Sequence, residues 1–170
     1  MLEDLPLRDM AHAIRDSALA KALRDRRAYA GDETLLALDL RRPAVLESIK
    51  DGLAQGVARA LAAWEPEVVA IYAYDPSADP DNQAAEDRPF DAVLHLLVVV
   101  TDSAPALSTK VRTLDQALAE SLREVPELGF QACDSVLDVM PLTQAEAQRR
   151  AGYGALLTTL YAPAIEIWRR

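Results

Sequence analysis

The most constraining feature of this sequence is the run DAVLHLLVVV at residues 91–100, in which valine and leucine dominate. A membrane-spanning helix needs about 18 or more consecutive apolar residues, so this run is too short to be one. Short apolar runs rich in β-branched residues are typical of strands buried on both faces. The run therefore predicts the central strand of a sheet, with His95 in its middle.

Three other segments have the composition of strands. Residues 67–74, EVVAIYAY, are β-branched and aromatic. Residues 135–140, SVLDVM, predict a third strand, and residues 165–168 predict a short edge strand after Pro163. In the third strand Asp138 lies between apolar neighbours, so we expect its side chain to point to the opposite face of the sheet from theirs.

Apolar residues at helical spacing predict helices over 7–29, over 43–64 and up to Glu124. Ser103 or Ser108 is expected to cap the third of these helices, because a serine hydroxyl can accept from a free backbone N–H of the first turn. The sequence Thr-x-x-Glu at 143–146 predicts a capping box, and the apolar run 153–161 is expected to be helical.

Together these elements predict one α/β or α+β domain, a small mixed sheet flanked by helices. We divide it into an N-terminal helical extension, residues 1–42, that packs on a core domain, residues 43–170. The extension should cover its own domain with its apolar stripe, and the alternative is that the stripe covers a second copy. Gly52 and Gly56 weaken their helix, so they indicate close packing against another element. Residues 34–40 fit either a strand or a helical turn.

Composition excludes several classes of protein. The single cysteine, Cys133, cannot form a disulfide within the chain, and two histidines, His12 and His95, are too few for a structural zinc site. A net charge of −9 opposes binding to nucleic acid, since each phosphate contact needs a lysine or arginine. The acidic start, MLEDLP, is unlike a signal peptide. We therefore expect a cytoplasmic protein without a membrane span.

The order and apolar pattern of the elements over about residues 45–170 resemble the nucleotidyltransferase superfamily, in particular its small bacterial members. In that family one strand ends in a Gly-Ser turn, the next carries two aspartates one residue apart, and a later strand carries a third carboxylate. Segment 67–74 is similar to the first of these strands, 91–100 to the second and 136–140 to the third. The tail at 152–168 is similar to the family's ending.

The residues at the family's motif positions differ from the motif. Asp75 and Pro76 stand where the Gly-Ser turn would hold the triphosphate, and they add a negative charge and remove an amide donor. Val93 and His95 stand where two aspartates would bind Mg²⁺, which prefers oxygen ligands. Asp138 alone matches a family carboxylate, the third. The resemblance thus implies the fold of the family and the loss of its reaction.

We hypothesise a vestigial cleft made of Asp75, Asp91, His95 and Asp138, with no cofactor. The domain would then act as a binding or regulatory module for a protein partner or for self-association. The alternative is an active transferase that uses Mg²⁺ and a nucleoside triphosphate, with Asp87 or Asp91 shifted from the expected register and Asp138 as a further metal ligand. A third interpretation is an unrelated adaptor made of helices and a sheet.

Overall fold

The computed structural model describes residues 6–30, 43–75, 93–128, 133–158 and 164–170. The helices are α1 Leu7–Ala30, α2 Pro43–Trp64, α3 Leu107–Arg123 and α4 Gln144–Arg149, with short 3-10 helices at Pro126–Leu128 and Gly152–Thr158. The strands are β1 Val68–Ala73, β2 Leu94–Val100, β3 Leu137–Thr143 and β4 Ile165–Arg169. The predicted fold class, a mixed sheet flanked by helices, is confirmed.

The described strands form one sheet in the order β3-β2-β1-β4. Strand β1 is antiparallel to both β2 and β4, whereas β2 and β3 are parallel. Helix α3 lies between β2 and β3 in the chain and makes the crossover that a parallel pair requires. β2 therefore holds the central position that its apolar sequence predicts, and β4 is an edge strand as expected.

The main core lies between one face of the sheet and the three long helices. Helix α1 contributes an apolar stripe, α2 and α3 contribute their inward faces, and alternate residues of β2 complete the core. The largest fully buried side chains include Ile14, Leu53, Leu61, Leu96 and Leu118. The stripe of α1 is thus buried within the chain itself. Residues 31–42, which include the undecided segment, lie outside the described residues.

Polar contacts also join α1 to α3. The guanidinium of Arg15, whose side chain is 13% exposed, donates to the carbonyl oxygen of Ser121 at 2.8 Å and to Glu124 at 3.1 Å. His12 lies 2.8 Å from the same Glu124 carboxylate, and Arg8 lies 3.4 Å from it. These contacts hold the pKa of Glu124 below its usual value, and the hydrogen bond from Arg15 has the largest effect. The described part of the predicted extension is therefore an integral layer of the fold.

The predicted cap of α3 is wrong. The N-cap residue is Ala106, with helical angles of φ −79° and ψ −14°, and it makes no side-chain cap hydrogen bond. A serine can cap a helix only from the N-cap position, which neither Ser103 nor Ser108 occupies. Instead the chain enters α3 through a tight turn in which the N–H of Leu107 donates to Ala104 at 3.0 Å.

The third strand is longer than predicted, since β3 continues past Met140 to Thr143 through Pro141. A proline removes a ladder hydrogen bond in a central strand, but at a sheet edge its missing N–H faces outward. Because β3 is an edge of the described sheet, Pro141 does not interrupt it. The predicted capping box is confirmed, as Thr143 and Glu146 each bond to the other's backbone N–H. The run 153–161 is a 3-10 helix as far as Thr158, and its end lies outside the described residues.

Lys110 on α3 holds the carboxyl-terminal end of α2. Its ammonium group donates to the carbonyl oxygen of Trp64 and lies 3.2 Å from the carboxylate of Glu65, whose side chain is only 10% exposed. A buried carboxylate is costly without a counter-charge, so the two charges depend on each other.

We expect Lys110→Met to lower the free energy of unfolding by about 2 kcal/mol, because it leaves the Glu65 carboxylate buried and unpaired. The value is set below that for a fully buried pair because the Lys110 side chain is 32% exposed. Urea unfolding followed by circular dichroism measures the change. The double variant Lys110→Met/Glu65→Leu should recover part of the loss, and a single variant as stable as the parent would contradict the role of this pair.

Candidate functional site

A histidine and an aspartate meet across the parallel strands β2 and β3. The register places His95 directly opposite Asp138, and the Nδ1 atom of the imidazole lies 2.9 Å from Oδ2 of the carboxylate. The His95 side chain is 15% exposed and that of Asp138 is 46% exposed. The pair is therefore partly shielded from water, and a hydrogen bond between the two fixes the orientation of the ring.

Both side chains lie on the face of the sheet opposite the main core. The neighbours of Asp138 in β3, Leu137 and Val139, pack on the core, as do those of His95 in β2, Leu94 and Leu96. The expectation that Asp138 points away from its apolar neighbours is confirmed. Adjacent residues in a strand project to opposite faces, so the alternation visible in the sequence determines this placement.

Tyr74 completes the group at the end of β1. Its ring is tilted by 54° to the imidazole of His95, with the two centroids 5.6 Å apart, and its backbone N–H donates to the carbonyl of His95 at 3.1 Å. Burial raises the pKa of Tyr74, and the negative charge of Asp138 adds to that effect. The phenol is therefore neutral near pH 7 and packs against the imidazole as an aromatic wall.

A cavity of about 470 Å³ lies where α2 meets the ends of β1, β2 and β4. Tyr74, Asp75 and His95 line one side of it, and apolar side chains, including Ala54 and Ile165, line another. The charged residues of α2 that border it are Glu47, Lys50 and Asp51. Three carboxylates and one ammonium group border the cavity, and the carboxylate of Asp51 also lies 3.0 Å from the ammonium of Lys21. The charges at the cavity therefore leave a small net negative charge, which disfavours polyanions.

The structure brings only some of the predicted site residues together. Asp75 and His95 border the same cavity, whereas Asp138 reaches it only through His95 and borders a separate depression of about 380 Å³ between α3 and β3.

Val93, at the first of the two motif positions, immediately precedes β2. Asp91 and Pro76 lie outside the described residues, as does Asp87 of the alternative. Within the described ranges, no three His, Cys, Asp or Glu side chains are grouped as a metal site would require.

Four residues that border the cavity were not predicted from the sequence: Tyr74 and the three charged residues of α2. The sequence places Tyr74 at the end of the predicted strand 67–74. Its contact with His95, however, depends on the antiparallel register of β1 and β2, which the sequence does not specify. Glu47, Lys50 and Asp51 have the helical spacing of one face of α2. That spacing indicates a common polar face without indicating that the face borders a cavity.

The described helices include none with the length and apolar character needed to cross a membrane. No protein-family model matches the sequence, and searches of curated proteins and of solved structures find no similar chain.

Proposed function

We propose that this chain is a nucleotidyltransferase-like domain that does not transfer nucleotides and that serves as a binding or regulatory module. The observation that carries the proposal is the bond between His95 and Asp138. In the resemblance, Asp138 corresponds to a metal-binding carboxylate, and here its Oδ2 contacts an imidazole at 2.9 Å. An imidazole in place of a second carboxylate leaves a site poor in the oxygen ligands that Mg²⁺ requires.

The sheet supports the same proposal. The order strand, strand, helix, strand, which the resemblance implies for the three motif strands, is the order of β1, β2, α3 and β3 along the chain. Val93 and His95 then occupy the positions of the paired aspartates, and valine cannot bind a metal. The framework of the family would thus be kept while its metal-binding chemistry is lost.

The charge at the cavity also supports the loss of the reaction. A triphosphate needs backbone N–H groups or cations around it. Lys50 is the cation of α2 that borders the cavity, and Glu47, Asp51 and Asp75 border it as well. Asp51 is paired with Lys21 at 3.0 Å, so Glu47 and Asp75 are set against Lys50, and this net negative charge disfavours a triphosphate.

The proposal predicts that none of ATP, CTP, GTP and UTP binds measurably, with or without Mg²⁺ or Mn²⁺. Isothermal titration of the full chain measures binding, and incorporation of labelled AMP into added acceptors measures transfer. Metal-dependent binding at micromolar affinity that disappears in Asp138→Ala would overturn the proposal. It would favour the alternative, an active transferase with a rearranged carboxylate site at Asp87 or Asp91.

A variant that rebuilds the metal site serves as the control for the expected absence of nucleotide and metal binding. The variant Val93→Asp/His95→Asp rebuilds the two aspartates beside Asp138, and we expect it to bind Mn²⁺, because carboxylate oxygens suit this ion. The same variant with Asp138→Asn in addition should bind Mn²⁺ more weakly. If the rebuilt variant folds and neither form binds Mn²⁺, the correspondence of these strands with the family's motif strands is wrong.

A further inference from the structure

The two edges of the sheet differ in the backbone hydrogen-bond donors that they present. β3 forms one edge of the described sheet and β4 forms the other. An edge strand has N–H and C=O groups that no neighbouring strand pairs, and these groups can pair with a strand of another chain. The direction and the partners of these N–H groups decide which edge is open to such pairing.

The direction of the N–H groups in β3 follows from its pairing with β2. The N–H of Leu94 donates to the carbonyl of Val136 at 2.8 Å, and Leu94 is opposite Leu137. In a parallel pair, a residue bonds to the two residues that flank its opposite number. The even-numbered residues of β3 therefore face β2, and its odd-numbered residues face outward.

Most of the outward positions of β3 offer no donor to another chain. The N–H of Leu137 already donates to Oδ1 of Asp115 at 2.9 Å, and the N–H of Thr143 donates to Oε2 of Glu146 at 2.8 Å. Pro141 has no N–H at all. Val139 is the remaining outward position, and one donor cannot sustain a ladder of hydrogen bonds. The edge at β3 is therefore protected against added strands.

The edge at β4 lacks this protection among the described residues. The N–H of Arg170 donates inward to Val69 at 3.0 Å, so the N–H of Arg169 points outward. Glu166 is opposite Tyr72. The N–H of Tyr74, two residues further along the chain and just beyond β1, donates to His95 of β2, so the N–H and C=O of Tyr72 also face β2. Glu166 is therefore also an outward position. An irregularity of the register between Ile71 and Tyr72 separates the two outward positions by three residues.

The side chains at these two outward positions carry opposite charges on one face of the sheet. The guanidinium of Arg169 donates to the hydroxyl of Tyr72 at 2.7 Å and, through Nε, to the carboxylate of Glu166 at 2.9 Å. A twofold axis that passes between Ile167 and Trp168 exchanges the positions of Glu166 and Arg169, and in this register both outward positions are paired. Ile165, next to Glu166 in the strand, projects to the other face and is 69% exposed; among the described residues Tyr153 is the other large apolar side chain that is exposed, at 50%.

We propose that β4 pairs in antiparallel orientation with the same strand of a second copy of this chain, with Glu166 opposite the partner's Arg169. The backbone groups at both outward positions are then paired, and Arg169 is opposite the partner's Glu166. Opposite charges directly across an antiparallel pair stabilise it, and like charges destabilise it. The pairing also covers Ile165. This inference deepens the proposed binding role by naming the partner, and it rests on that role.

The charges of Glu166 and Arg169 allow a test that distinguishes contacts between two copies from contacts within one copy. Glu166→Arg alone and Arg169→Glu alone each place like charges across the twofold axis and also break the pair within one chain. In a mixture of the two variants the opposite charges are restored between copies but not within either copy. We expect the parent to reach twice its mass of 18.6 kDa in sedimentation equilibrium, each variant alone to remain monomeric, and the mixture to form the dimer.

Backbone pairing is tested by Arg169→Pro against Arg169→Val. Both variants lose the guanidinium, but only proline removes the outward N–H, and it leaves the inward bond of Arg170 in place. Each dimer loses two backbone hydrogen bonds, so we expect proline to weaken association about 30-fold more than valine. Circular dichroism confirms that each variant is folded.

The outcomes are separable from those of the nucleotide experiment. A parent that stays monomeric up to millimolar concentration, or a mixture no more associated than its two components, would overturn the β4 pairing and leave the proposal on nucleotide transfer intact. Metal-dependent nucleotide transfer by a protein that dimerises through β4 would overturn only the proposed loss of the reaction.

Discussion

Replacing Gly52 with valine is expected to lower the free energy of unfolding by about 3 kcal/mol, one of the two largest effects that we predict. A Cβ atom at Gly52 would lie 2.8 Å from Cα of Ala18 and 3.0 Å from its Cβ. The first of these atoms belongs to the backbone of α1 and cannot move by a change of rotamer. The two helices must therefore separate, and the apolar contacts between them are lost along their length.

Two further variants test whether the loss of stability comes from the close approach of the α1 and α2 backbones. Gly56→Ala meets the side chain of Ile14, with Cγ2 at 2.8 Å, and a side chain can shift, so this variant should lose less stability. Ala63→Val adds the same residue to an exposed position of α2 and should cost only the lower helix propensity of valine, at most about 0.7 kcal/mol. Urea unfolding measures all three. Gly52→Val with the stability of Ala63→Val would show that α1 and α2 do not meet as described.

The sequence predicted close packing at Gly52 and Gly56, although not which element packs there, because the signal is local. A glycine pair four residues apart within an otherwise well-formed helix has no advantage for the helix itself, so Gly52 and Gly56 indicate a tertiary reason. The apolar spacing that predicts α1 and α2 is equally local. Both helices and the first two strands were therefore found close to their observed bounds, and the central position of β2 followed from its apolar composition.

The errors occurred where a local rule depended on a tertiary position. Pro141 indicates the end of a strand unless that strand is at an edge, and the order of strands cannot be read from β3 alone. The cap of α3 was assigned to serine by preference, but the chain enters the helix through a turn that places Ala106 at the N-cap. In both cases the residue preference is real and the position of the residue in the fold decides whether it applies.

The candidate site was predictable residue by residue but not as an assembly. Strand alternation correctly placed Asp138 on the face away from the core. The bond between His95 and Asp138, however, needs the register of β2 and β3, and a shift of one residue would separate them. The charges at the cavity likewise depend on how α2 packs beside the sheet, and the difference between the two sheet edges depends on the order and register of the strands. The sequence alone does not specify these tertiary contacts.

The second large effect is expected at Asp115, whose carboxylate fixes the start of β3. Its Oδ1 atom accepts from the N–H groups of Val136 at 2.7 Å and Leu137 at 2.9 Å, and its Oδ2 atom accepts from the hydroxyl of Ser135 at 2.8 Å. The Asp115→Ala variant leaves two backbone donors without their charged acceptor. We expect it to lower the free energy of unfolding by about 3 kcal/mol, measured by urea unfolding.

The variant Asp115→Asn separates the loss of these bonds from the loss of charge, because its amide oxygen can still accept from Val136 and Leu137. It should therefore retain at least half of the stability that alanine loses. Amide hydrogen exchange provides a local measurement, since the amide of Leu137 should exchange faster in the alanine variant while amides of β1 change less. Because Leu137 precedes Asp138, the hydrogen bonds that Asp115 accepts also hold the carboxylate of Asp138 opposite His95. Equal exchange at Leu137 in the parent and the alanine variant would mean that β3 is held in place without Asp115, and that the protection of this sheet edge has another origin.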